Sequence, residues 1–334
     1  EAAFAAALRE FEEHPGALLG MASVRLALHR FAEAEALAEQ VRRRAPRNAE
    51  ARLLASDAWL ALGRTGEATK LLDGMEERPA VLARRAEVAR LQGKNEEAVR
   101  LCAHAAEAAG ARGEAPIDIA VSRVRLGEMF FRSGKLEAAD EQYRLARELA
   151  PESFTVLEHR AELLGAQEKF SEAVALYQQV IAQSYRPDME QALGDLFTFM
   201  KQPERARLYY DRALAGYLAS VERGEIHFIH HLAGFYCDAQ EDGVEAVKWA
   251  RQDLALRQSA TAHESVAWAL YRAGEFEESR REIEAALASG IKDAHVIYHA
   301  GLIFSAAGDL EHGRKLLEET ATLNPSYLKF HVHR

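Results

Sequence analysis

The sequence predicts an all-α protein, a right-handed superhelical solenoid of about nine helix–turn–helix repeats. Three observations carry this. A small residue, a glycine seven positions later and an alanine five positions further recur along the chain, most cleanly as Gly127, Gly134 and Ala139. The anchors of that spacing are Ala22, Ser56, Ala86, Gly127, Ala161, Gly194, Gly234, Ala267 and Gly301, 30 to 41 residues apart and mostly 33 or 34. That is the length of one helix pair in a stacked-repeat protein. Finally, all eight prolines (Pro15, Pro46, Pro79, Pro116, Pro151, Pro187, Pro203 and Pro325) fall at repeat boundaries, loops or inter-helix turns. None interrupts a helix, where each would cost about 3 kcal/mol.

The elements follow in order. Residues 1–14 (EAAFAAALREFEEH) read as one further helix, a cap or the second half of a partial repeat. Ser56, Gly63 and Ala68, then Ala86, Gly93 and Ala98, restate the spacing in the second and third repeats. The longest step is expected to hold a loop from Gly110 to Pro116. In the fourth repeat Val124, Leu126, Phe130 and Phe131 lie on helical spacing. Gly127 sits where the two helices of the unit cross, and Gly134 supplies the left-handed residue that ends the first helix. Ala139 packs into the crossing, Tyr143 and Ala146 face the neighbouring repeat, and Pro151 stops the second helix. Repeats five to seven put Glu168, Lys201 and Glu241 at the glycine position. The next long step is expected to lengthen the helices around Tyr217 to Glu225. Repeats eight and nine carry Ser279 and Gly313 in place of the second-helix alanine. Residues 15–325 thus form one continuous solenoid and 326–334 a C-terminal tail. An elongated body is expected, since stacked repeats touch mainly their neighbours.

Leu126-Gly127, Phe130, Gly134, Ala139, Tyr143, Ala146 and Pro151 resemble the tetratricopeptide repeat, and weaker copies extend the resemblance over about residues 15 to 325 as nine motifs. The C-terminal stretch, AWALYRAG with YHAGLIFSAAGD and LNPSY, resembles the bacterial type of such proteins, which implies no particular activity. The resemblance implies a superhelix whose first helices line a concave groove that takes a peptide or a partner helix. One subclass grips C-terminal carboxylates with groove Lys and Asn. Acids occupy the matching column here, which argues against that activity.

That column, the residue after each anchor, reads Ser23, Asp57, Glu87, Glu128, Glu162, Asp195, Phe235, Trp268 and Leu302. The columns three before and four after add Glu158, His231, Glu264 and Tyr298, then Phe131, Asp238 and Tyr271. The candidate groove residues are therefore Asp57, Glu87, Glu128, Glu162, Asp195, His231, Phe235, Trp268, Tyr271 and Tyr298. Such a groove is acidic in the middle and aromatic toward its C-terminal end, suited to a basic or aromatic segment. The bland alternative makes the acids ordinary solvated helix positions and leaves Trp268 and Phe235 partly in the core.

Composition narrows the function. The net charge of −10 is spread along the helices with no basic stripe, which disfavours nucleic acid. No run of 18 apolar residues is present, so no membrane span is expected. Cys102 and Cys237 fall on core-facing columns, too far apart to bridge, and read as small buried residues. Nine of thirteen histidines follow residue 225, including His227, His230 and His231, the i,i+4 pair His295 and His299, and His331 and His333. A zinc or nickel site would need three or four to converge on one ion at about 2 Å, and neighbouring first helices stand about 10 Å apart. They therefore read as groove and packing histidines, with no metal and no cofactor. No nucleophile elbow, phosphate loop or zincin motif occurs, so no enzyme is expected.

The leading expectation is a non-enzymatic protein–protein interaction scaffold binding a peptide or partner helix in its concave groove. The alternatives are a metal-linked accessory or sensor protein using the C-terminal histidines, and the regulatory module of a larger protein. The first residue, Glu1, leaves the compartment open: cytoplasmic, or periplasmic or secreted after removal of a signal peptide.

Overall fold

The amphipathic segments do fold as pairs. A computed structural model describes residues 1–330, in which every regular element is a helix. The first, α1 (Ala2–Glu10), precedes the pairs α2 (Pro15–Ala27) with α3 (Phe31–Arg44), α4 (Ala49–Ala61) with α5 (Thr65–Leu72), and α6 (Pro79–Leu91) with α7 (Asn95–Ala111). Next come α8 (Pro116–Arg132) with α9 (Leu136–Leu149), α10 (Phe154–Ala166) with α11 (Phe170–Gln183), and α12 (Pro187–Phe199) with α13 (Pro203–Glu222). The last are α14 (Ile229–Asp238) with α15 (Gly243–Leu256), α16 (Ala260–Arg272) with α17 (Phe276–Leu287), and α18 (Ala294–Ala306) with α19 (Leu310–Leu323).

Local chemistry sets the ends. Prolines 15, 79, 116, 187 and 203 open helices, where the missing N–H costs nothing. Asn48, Ser259, Asp293 and Asp309 cap α4, α16, α18 and α19 with their side chains. Each first helix then turns through one left-handed residue. It is Gly134 in the fourth repeat (φ 71°), but Glu168, Lys201 and Glu241 take the same conformation at φ 61°, 58° and 54°. The substitutions at the glycine position therefore leave the turn intact and strained.

The crossings are as tight as the spacing implies. A methyl group at Gly127 would lie 2.4 Å from the Tyr143 ring, and one at Gly301 2.7 Å from Leu317. Opposite Gly301, a methyl at Gly313 would lie 2.6 Å from the Gly301 carbonyl oxygen, so the ninth pair is held glycine to glycine. In the eighth, the Ser279 hydroxyl donates to the Ala267 carbonyl at 2.6 Å. At Gly234 a methyl would meet nothing, so that anchor is not needed for close approach. The 41-residue step is met mainly by lengthening α7 and α8 to 17 residues each, so that of the expected loop from Gly110 to Pro116 only residues 112–115 lie outside helices. The 40-residue step does lengthen a helix: α13 runs for 20 residues.

The expected isolation of distant repeats fails. The first-helix turns of repeats one to four dock against a helix start and loops six repeats further on. His29 stacks on His230 with centroids 5.4 Å apart. Methyl groups at Gly63, Gly93 and Gly134 would stand 2.0 Å from Gln258 O, 2.2 Å from Gly290 O and 2.5 Å from Asn324 Oδ1. Arg132 donates to Asp293 at 3.0 Å, and Asn95 to the Lys292 carbonyl at 2.7 Å. Leu18, Leu60 and Leu91 share one apolar cluster with Ala267, Ile297 and Phe304. The solenoid is thus wound so that its second turn lies directly on its first. Its accessible surface of 15608 Å² only modestly exceeds the roughly 13,600 Å² of a globular monomer of this mass.

The tail is also revised. Phe330 is buried against Gly165 and lies 6.0 Å from Phe199, which ties residues 326–330 to the fifth and sixth repeats. His331 and His333 lie outside the described residues.

Candidate functional site

First helices touch one another along the solenoid, α2 with α4, α4 with α6, α8 with α10, and α14 with α16 and then α18. Second helices form no such row, so the winding puts the first helices on the inside of the curve. The residues after the anchors belong to this inner row.

The acids of the row are not bare. Arg84, from the next repeat, donates to both Asp57 oxygens at 2.8 and 2.5 Å. Arg90 spans Glu87 at 2.9 and 2.7 Å, and Arg132 reaches Glu128 at 2.9 Å. Asp195 accepts from the Tyr210 hydroxyl at 2.8 Å. Glu162 is only 1% exposed. Burial raises the pKa of Asp57 more than Arg84 lowers it. At Glu87 burial also pushes upward, but Arg90 prevails and the carboxyl stays below its usual range. The same arginines continue across the turn junction. Burial would raise Asp293, yet Arg132 and Arg90 hold it down at about 2. Sequence reasoning missed these partners, although Arg90 at i+3 from Glu87 and Arg132 at i+4 from Glu128 stand at ordinary helical ion-pair spacing.

The aromatic end divides. Phe235 is fully enclosed beside Tyr210 and Tyr217, so it is a core residue and not a groove contact. Trp268, Tyr271 and Tyr298 are half-buried. The Trp268 ring stacks on Tyr271 (4.9 Å, 11°) and on His299 (3.7 Å, 4°), and its indole N–H donates to Asp238 at 3.1 Å. Tyr298 leans on Tyr327 at 5.0 Å. These three make a rigid aromatic ledge on α16 and α18. His231 is half-buried on α14, parallel to the Tyr217 ring at 6.4 Å and 4.0 Å from His230.

Cys102 and Cys237 are free and buried, and burial pushes the Cys102 thiol up to about 12 and Cys237 higher still, which keeps both inert. No helix among the described residues is long and apolar enough to cross a membrane.

This architecture defines an all-α helical-repeat solenoid. Residues 25–92 and 265–327 match tetratricopeptide repeat family models, so these two stretches, toward either end of the chain, are tetratricopeptide repeats. No curated protein matches it by sequence. Among solved structures it is similar to the APC/C hetero-tetramer Cut9-Hcn1, with 14% identity over 97% of this chain and a TM-score of 0.52. The chain spans 56% of the length of that relative. It is similar also to the human IFIT1 dimer with PPP-AAAA, at 14% identity over 93% of this chain and 73% of that one, with a TM-score of 0.52. At these identities the likeness is one of fold. Solenoids of tetratricopeptide repeats serve in general as protein–protein interaction scaffolds, and their families are typically not enzymes.

Proposed function

We propose that the chain holds a protein or peptide segment against the inner row of first helices, anchored on the ledge of Trp268, Tyr271 and Tyr298. The single observation behind this reading is the ledge itself, three half-buried aromatic side chains on the inner row, with Trp268 stacked on Tyr271 and Tyr298 leaning on Tyr327. Rigid aromatic surface of this kind supplies contact area at low entropic cost, which is why Trp and Tyr recur as interface anchors. The acids Asp57, Glu87 and Glu128 add polar shape, but little net field, because arginines already neutralise them. The favoured ligand is therefore a segment with an aromatic or aliphatic anchor, and basic residues in it are secondary.

Selection of a random peptide display library on the full chain tests this. Selected peptides should dissociate at least 10-fold faster from Trp268→Ala, as expected for an anchor contributing about 1.4 kcal/mol or more. They should be unaffected by Leu310→Ala, on the exposed start of a second helix. Peptides that bind Trp268→Ala as well as wild type would place the binding surface elsewhere.

A further inference from the structure

Two histidines one helical turn apart on α18 meet a carboxylate from α16. The distance from His299 Nδ1 to Glu264 Oε1 is 2.5 Å, and from His295 Nε2 to the same oxygen 3.6 Å. One donor atom from each of the three residues lies within 4.8 Å of the other two, and they are the one such group of His, Cys, Asp and Glu among the described residues. Glu264 and His299 are 7% and 6% exposed, and His295 is half-buried.

Both imidazoles are oriented by neighbours. The Tyr327 hydroxyl lies 3.0 Å from His295 Nδ1, which aims Nε2 at Glu264. Asp293 accepts from the His295 backbone N–H at 3.0 Å and is itself gripped by Arg132 from the first turn. Trp268 fixes the plane of the His299 ring. Outer partners of this kind are what set ring orientation in metal sites. The nearby cations are already engaged: Arg257 with Asp253 at 2.6 Å, and Arg132 with Asp293 and Glu128. Glu264 pairs with the two imidazoles and with neither arginine.

Two imidazoles at i and i+4 on one helix face, with a carboxylate from a packed helix, make a His₂-carboxylate donor set. We propose that Glu264, His295 and His299 bind one divalent transition-metal ion, zinc being the best fit, and so tie α16 to α18. Donors at about 2.0–2.2 Å from one tetrahedral ion stand about 3.3 Å apart. Binding therefore draws the wider pairs together and opens the 2.5 Å contact, movements within reach of side-chain rotation. Three protein donors leave a fourth position for water or for a donor from a bound segment. The competing account is a metal-free hydrogen-bonded chain, in which a proton on His299 occupies the place of the ion.

The test uses the full chain, purified without a histidine tag and stripped with chelator, titrated calorimetrically with zinc and checked by elemental analysis. The expected result is one equivalent bound, a higher melting temperature with zinc, and cobalt(II) absorption of the strength that four-coordinate sites give. Glu264→Gln and His299→Gln should each abolish stoichiometric binding. Tyr327→Phe should weaken it about 10-fold while leaving the metal-free melting temperature near wild type. His331→Gln with His333→Gln should leave it unchanged. Absence of stoichiometric binding by the wild-type chain overturns the proposal and favours the hydrogen-bonded chain. Binding that survives His295→Gln with His299→Gln also overturns it, by placing the ion on other residues. No peptide is present in any arm, so the outcome is independent of the aromatic ledge.

Discussion

A matched pair of glycine substitutions isolates the contact between the two turns. Gly63 and Gly274 occupy the same position in repeats two and eight, both left-handed, at φ 75° and 83°. Alanine at either carries the same backbone penalty, about 1–2 kcal/mol for a left-handed L-residue. They differ in surroundings. A methyl at Gly274 meets nothing within 4 Å, whereas one at Gly63 stands 2.0 Å from the Gln258 carbonyl oxygen, which ordinary contact would keep at 3.4 Å or more. The loop at 257–259 must therefore retreat by over an ångström, or the junction carries overpacking of about 1–3 kcal/mol. Gly63→Ala should lose roughly 2–5 kcal/mol in guanidinium unfolding, and Gly274→Ala roughly 1–2. Hydrogen exchange should rise in residues 255–262 of Gly63→Ala alone, nearly two hundred positions from the change. Equal losses for both variants, with unchanged exchange at 255–262, would refute the stacked turns.

Three further expectations use the same contacts. Glu168→Gly, Lys201→Gly and Glu241→Gly should each raise the denaturation midpoint, relieving about 1–2 kcal/mol of left-handed strain against roughly 0.4–1 kcal/mol of added unfolded-state entropy. Burial, with Arg257, His227 and His231 nearby, lowers His29 to about 4, and burial with His231, Arg257, His29 and His227 lowers His230 well below its usual value. Depressed histidines favour the folded state in full above about pH 6.5, so stability should fall from there toward pH 4 by roughly 1.4 kcal/mol per pH unit for each; His29→Phe should flatten that slope in pH-resolved melting curves. Arg132→Met and Asp293→Asn should be non-additive by about 0.5–3 kcal/mol, and a double-mutant cycle that closes to zero would mean that this ion pair does not join the turns.

How much of this was legible depends on the range of the interaction. Helix pairs, left-handed turns and crossings are local, so the spacing of Gly127, Gly134 and Ala139 foretold them, and even the Glu168, Lys201 and Glu241 turns kept the conformation their position demands. The docking of Gly63 on Gln258 was not legible. It depends on small rotations accumulated over six repeats, and its residues, a glycine already explained by its φ and a loop glutamine, carry no separate signature. Phe330 was likewise read as tail because nothing in its own segment reveals the notch at Gly165. At the candidate sites the sequence marked His295 and His299 by their i,i+4 spacing, and it marked Glu264 only as a column residue. Their meeting requires the offset between α16 and α18, which periodicity does not supply.

Pairing within the inner row bears on how a partner would be recognised. A basic side chain approaching Glu128 would have to compete with Arg132, which also serves Asp293, so engaging the acid would loosen the seam between turns. The same holds at Glu87, whose partner Arg90 lies 3.9 Å from Asp293. The gain from a new half-exposed ion pair, about 0.2–1 kcal/mol, is of the same size as what the displaced pair gives up. Trp268 and Tyr271 face no such competition. What remains exposed of the two loses only water on contact with an apolar group, and burying about 100 Å² of it contributes roughly 2.5 kcal/mol. Discrimination among partners should therefore follow the aromatic or aliphatic residue that reaches the ledge, with weak dependence on salt.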